Sequence, residues 1–158
     1  MIREETRAAI ATQIASGVDA LGAVLYRWPH PGEMAPTRVV IRVTEIEGTN
    51  DVPTFQGAGN PLRAKDTWRF DVDCRAEADL QQLDDAAQLA QDLATAVLQG
   101  VHNNSALSGL TKTAAGVGHW RLLHAIVVRV VGPEVFDEPQ GLAAHARVTV
   151  EMVAEIFP

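Results

Sequence analysis

Between Thr67 and Arg75 the chain alternates without a break. Trp68, Phe70, Val72 and Cys74 fall on one side, and Thr67, Arg69, Asp71, Asp73 and Arg75 on the other. Successive side chains of an extended strand point to opposite faces, so this segment is a strand with one buried and one wet face. A sheet containing it is antiparallel or mixed, because an all-parallel sheet is covered on both sides. The period then changes. Asp79 reads as an N-cap with Gln82 three residues on, and Leu80, Leu83, Ala87, Ala90, Ala94, Val97 and Val101 recur at helical spacing out to about His102. Leu89, Leu93 and Ala96 widen that stripe, and its alanines predict close packing of the helix onto the sheet.

The flanking segments extend the pattern. Ile10, Ile14, Val18 and Leu21 predict a helix over Ile2 to Leu21, stopped at Gly22. Ala23 to Tyr26 reads as a short strand, and the prolines at 29 and 31 exclude regular structure behind it. Arg38 to Glu47 is a β-branched strand. Gly48 to Asp66 holds three glycines and two prolines with no hydrophobic period, and a loop of that size inside one domain is usually functional or disordered. Asn103 to Gly118 reads as a second linker. Leu122 to Val131 is apolar on nearly both faces, which predicts a central strand ended by Gly132 and Pro133. Phe136 to Gly141 reads as a turn or loop. His145 to Phe157 alternates again, with Ala146, Val148, Val150, Met152, Ala154 and Ile156 on one side. The expected fold is α+β. It is one domain over residues 1–158, a small, mostly antiparallel or mixed sheet with an N-terminal helix and a long central helix on one face.

Charge and cysteine usage exclude several functions. Twenty acidic against 13 basic side chains leave a formal charge of -7 over 158 residues. There are two lysines, Lys65 and Lys112, and neither Lys nor Arg occurs from Ala76 to Thr111. A sequence-reading nucleic-acid binder needs clustered cations, so that class is disfavoured. Cys74 is the single cysteine, which rules out an intrachain disulfide and a cysteine-based zinc site. Its place beside Trp68, Phe70 and Val72 makes it a buried structural thiol. The N-terminus carries no apolar signal segment, and Leu122 to Val131 is too short to span a bilayer. The expectation is a soluble protein assembled inside a cell, with no membrane partner.

Motifs that would carry catalysis are scarce in the chain. Gly57 and Gly59 lack the third glycine and the following helix of a dinucleotide cradle. Asp71 and Asp73 form a carboxylate pair of the kind that binds a divalent cation, but Arg69 and Arg75 flank them on the same face, which favours cross-strand charge pairs. His30, His102, His119, His124 and His145 include no pair at helical zinc spacing. Ser16, Ser105 and Ser108 lack a nucleophile-elbow frame. Trp28 and Trp120 stand near loop–strand boundaries, where they either hold loops down or anchor a neighbouring subunit. No catalytic residue, metal ligand or cofactor is assigned.

The whole layout resembles the tail terminator and tail completion proteins of long-tailed phages, the group of the phage lambda minor tail protein U. The features that carry it are the helix Ile2 to Leu21, the segment Tyr26 to Pro29, and the strand Arg38 to Val43. The long loop, the strand Trp68 to Arg75 leading into the acidic, alanine-rich helix Asp79 to His102, and the final strands Leu122 to Val131 and Ala146 to Phe157 complete it. The resemblance implies a non-enzymatic virion protein that acts as a ring, typically a hexamer. Such a ring caps the tail tube, stops its polymerisation and offers a joining surface to the head–tail connector, with DNA passing through the lumen. Its partners would be its own copies, the tail tube protein and a connector or stopper protein. The chain's acidity then suits a lumen that repels phosphate, with Asp71, Asp73, Asp84, Asp85 and Asp92 as candidate lining residues. Phe55 and Leu62 of the long loop are candidate apolar anchors on a neighbouring subunit or the tube, together with Trp28 and Trp120. Two alternatives remain: another neck, head-completion or tail tube protein, and a small ferredoxin-like ligand-binding domain or enzyme.

Overall fold

The structure, a computed structural model, describes residues 3–29, 32–43, 64–78, 83–104, 111–114, 118–138 and 141–157. Helix α1 spans Arg3–Ala20. It ends where Gly22 takes a left-handed φ of 73°. There the amide of Ala23 bonds the Val18 carbonyl and that of Gly22 bonds the Asp19 carbonyl, so the last orphan carbonyls are satisfied by a glycine-centred C-cap. Strand β1, Val24–Tyr26, follows and pairs in parallel with β2, Arg38–Val43. The expected strand continued to Glu47; residues 44–47 lie outside the described residues.

Strand β3 spans Ala64–Ala78, so Ala64 to Asp66, expected in the long loop, already belong to the sheet, opposite Ile156, Glu155 and Ala154. The rest of that loop, with Phe55 and Leu62, lies outside the described residues, as does the expected N-cap Asp79. Helix α2 spans Leu83–Asn103, and its Ala86, Ala90, Leu93, Ala94, Val97 and Val101 are buried. A short strand β4, Thr111–Ala114, stands inside the expected second linker and pairs with residues 118–121.

The final two strands differ most from the sequence expectation. Strand β5 spans Gly118–Glu138 and β6 spans Gly141–Phe157. The sheet order is β1-β2-β3-β6-β5-β4. The C-terminal strand β6 is therefore the central one, paired with β3 and with β5, and every pairing except β1 with β2 is antiparallel. β5 is not central. Only its first residues are paired by β4, and the outer edge from Leu122 onward has no strand partner among the described residues. Nor does β5 stop at Gly132 and Pro133. It passes them through a register shift between Val131 and Glu134 and resumes pairing through Phe136 to Glu138, the segment expected as a turn.

Both helices cover one face. Trp68, Phe70, Val72, Cys74 and Ala76 of β3 meet Val148, Val150, Met152 and Ala154 of β6 in a core closed by α1 and α2. Each such large apolar side chain contributes about 1.5–3 kcal/mol by leaving water. Gly100 leaves room for Ile14 where the helices approach, since a β-carbon there would sit 2.8 Å from the Ile14 methyl.

Candidate functional site

The helix-free face of the sheet is built from the wet positions of β2, β3, β5 and β6. Register places Arg42 opposite Asp71, Asp71 opposite Thr149, Asp73 opposite Arg147, and Arg69 opposite Glu151. Side chains bond across these rungs, except that Arg42 reaches along the strand to Asp73. Asp73 accepts from Arg42 and Arg147, each at 2.8 Å, and Asp71 accepts from the Thr149 hydroxyl at 2.7 Å. Arg69 pairs with Glu151 at 3.0 Å and Arg121 with Glu155 at 3.0 Å. The Asp73 pair holds the Arg147 guanidinium above its ordinary pKa, chiefly through the hydrogen bond. Asp73 thus joins a ladder of compensated charge, and Asp71 is held in it by a hydroxyl. Exposed pairs of this kind contribute about 0–1 kcal/mol each, so the ladder sets register more than stability.

At one end of this face the ladder becomes buried. Arg75 is 3% exposed, and its guanidinium donates to Glu138 at 2.6 Å and to the Pro36 carbonyl. Glu138 also meets His145 Nε2 at 2.7 Å, and the Phe136 ring stands edge-on to His145 with centroids 5.2 Å apart. Hydrogen bonds from Arg75 and then His145 hold the Glu138 carboxyl below the ordinary glutamate range. Alternation along the strand places Arg75 on the wet face but does not reveal this cluster. Its partner Glu138 lay in a segment expected as a loop, so no spacing rule connected them.

A second charged group is buried on the helix side. Arg7 is 4% exposed, and its guanidinium carbon lies 3.8 Å from the Trp28 ring centroid and 5.7 Å from that of Phe70. Stacking on an aromatic face offsets part of the desolvation that lowers the Arg7 pKa. Trp28 is therefore a half-exposed lid over Arg7. The signal was present: Arg7 precedes Ile10 and Ile14 on the apolar stripe of α1.

The candidate lumen residues fall on two layers. Asp71 and Asp73 belong to the helix-free face, whereas Asp84, Asp85 and Asp92 are exposed on α2, on the other side of the sheet. One chain does not gather the five into a single surface. Asp92 accepts from Gln88 at 2.9 Å. The side chain of Trp120 lies outside the described residues, although its backbone pairs with Lys112 and Ile156.

Apolar exposure among the described residues concentrates on β5, with Val24 and Trp28 exposed at the β1 end of the sheet. Ile126, Val128, Val130, Val135 and Phe136 are exposed along β5. At the β1 end, Val24 is one wall of an open depression of about 470 Å³, lined also by Ala15, Ser16 and Asp19 of α1, Ala23 of the turn and Leu25 of β1. Among the described residues no three His, Cys, Asp or Glu side chains gather into a metal-holding set, and no helix is long and apolar enough to cross a membrane.

Taken together, fold and surfaces define an α+β protein with a two-helix layer on one face of a mostly antiparallel sheet, and with paired charge and apolar edges as its exposed chemistry. No family model matches the chain, and no curated protein matches its sequence. Among solved structures it is similar to a chain of the virion of a native gene transfer agent (GTA) particle. That match has a TM-score of 0.56 at 14% identity and covers 94% of this chain and 93% of the other. At that identity the likeness is one of fold, and it takes in nearly the whole of both chains.

Proposed function

We propose that the chain is a structural virion protein that assembles into a ring at the tail or neck of a phage-like particle. The ring caps the tail tube, ends its polymerisation, joins it to the head connector and lets DNA pass. The observation that carries this reading is the fold likeness over almost the full length to a chain of a gene transfer agent virion. Two features support it. The surface chemistry is that of assembly, with compensated charge and apolar edges. The chain is also acidic, at -7, which suits passage of DNA rather than its capture. Of the candidate lumen residues, Asp73 is paired with two arginines and Asp71 is half-buried beneath the Thr149 hydroxyl, whereas Asp84, Asp85 and Asp92 are exposed with no cation partner among the described residues, so the exposed side of α2 is the proposed lining. The ring is proposed as a hexamer, with the tail tube protein and a connector or stopper protein as its axial neighbours.

Mass measurement and negative-stain microscopy of the purified protein test the proposal. The expected result is a single closed ring that does not lengthen with concentration. Long stacked tubes would replace this reading with that of a tube subunit. A monomer at all concentrations would remove the ring altogether.

A further inference from the structure

Arg7 is a buried cation without an anion. It is 4% exposed, and neither its Nε nor its Nη1 has a hydrogen-bond partner. No salt bridge reaches it among the described residues. That sets it apart from Arg75, the other buried arginine among them, which has Glu138, Glu77 and the Pro36 carbonyl. The carboxylates nearest in sequence do not supply the missing acceptor. Glu4 acts on the guanidinium through its charge, without an ion pair, and Glu5 is engaged with another group. A guanidinium keeps its proton at any ordinary pH, so losing the charge cannot relieve the burial. Buried N–H donors without acceptors are costly and rare in folded chains.

Two aromatic rings account for the faces of this cation and not for its edge. The guanidinium carbon lies 3.8 Å from the Trp28 centroid and 5.7 Å from that of Phe70. Stacking engages the flat face, whereas the N–H donors point outward in the guanidinium plane. Trp68, two residues from Phe70 on the same face of β3, holds a further buried donor without an acceptor, its indole Nε1. Trp28 itself is 46% exposed. Arg7 is therefore one side-chain layer from water, and its cover is a single indole just after β1.

We infer that Arg7 beneath Trp28 is a receptor for a carboxylate. A carboxylate offers the two in-plane acceptors that a guanidinium fork matches. Its single charge cancels that of Arg7, whereas a phosphate dianion would leave an uncompensated negative charge in the same buried place. A small acid in solution and an acidic side chain of another copy of this chain present the same group to Arg7. The receptor stands whether or not the chain forms a ring.

Melting curves of the full chain at low protein concentration, in sodium acetate against sodium chloride of equal ionic strength, test the site. Acetate is expected to raise the wild-type melting temperature by about 5–10 °C at about a hundred times its dissociation constant. Arg7→Met, apolar and of similar length, is expected to melt at least as high as wild type in chloride and to lose the acetate response. Should the methionine variant fail to fold, Arg7→Lys takes its place; it keeps the charge without the fork and should bind acetate at least about 10-fold more weakly. The Arg7 Nε–H signal in a nitrogen-15 NMR spectrum, identified by its absence from the variant, should shift with acetate and saturate. In chloride, a wild-type melting temperature that climbs with protein concentration more steeply than that of the variant would assign the carboxylate to a second copy, and equal profiles would assign it to a small acid. A wild type that melts alike in acetate and chloride, with an Nε–H signal that stays in place, would overturn the receptor. An acetate response that survives in Arg7→Met would overturn it too.

Discussion

Arg75 shows how much one position on a polar face can hold. It sits opposite Arg38 and His145 in the register, surrounded by basic neighbours, and is nevertheless buried. Glu138 makes that burial tolerable by accepting from the guanidinium at 2.6 Å and meeting His145 on its other oxygen. Removing the charge at Glu138 leaves a buried cation short of its best partner, so Glu138→Gln should cost about 1–3 kcal/mol at neutral pH. The folded-state pKa of Glu138 is lowered, so its contribution is present above the ordinary value of 4.5 and is lost as pH falls below it. Wild type and Glu138→Gln should therefore differ in urea unfolding at pH 7 and converge in acid. A gap that persists at low pH would assign the effect to packing. Cys74 makes a simpler case: burial pushes its thiol up to about 12, so alkylating reagents should label it only after unfolding.

Among the elements, the β5–β6 hairpin carries the most information about function. Gly132 is its fixed point, with a φ of 97°. A β-carbon there would stand 2.5 Å from the His145 carbonyl oxygen on β6. Gly132→Ala should lower stability by about 1–3 kcal/mol from backbone strain alone, with the clash added, and a thermal melt would read it as a loss of several degrees. An unchanged melting temperature would mean that the local backbone relaxes freely. The same hairpin is where structure and sequence pattern diverge most. A strand apolar on both faces reads as central because sheet interiors and exposed apolar fringes have the same composition. Alternation in β3 and β6, by contrast, was readable to within a few residues, since one face of each meets the core and the other meets water. β4 escaped notice because a four-residue edge strand, Thr111–Ala114, has too few positions to show a period.

For the whole molecule, the open matter is what its negative charge meets. Asp73 is neutralised by two arginines and Asp71 is half-buried, so the exposed repulsive charge of the proposed lumen resides on α2. Replacing Asp84, Asp85 and Asp92 together with lysine should convert a ring indifferent to DNA into one that retains it at low salt, the affinity falling steeply as salt rises. Gel retardation of a duplex by wild-type and variant rings measures this. Retardation by the wild type would remove the lumen assignment.

The α+β class, the two helices, the one-sided sheet and the buried thiol were all legible in the sequence, because local period records which side of an element meets water. The candidate surfaces were legible only in part. Alternation puts the wet-face charges of a strand side by side, but pairing Arg75 with Glu138, placing Arg7 under Trp28, and separating Asp71 from Asp84 depend on register and layer. The position of β5 beside an open edge rather than in the middle of the sheet depends on them too. Period is a property of neighbours along the chain, whereas strand order and the reach of the helices over the sheet arise from contacts between residues far apart in it.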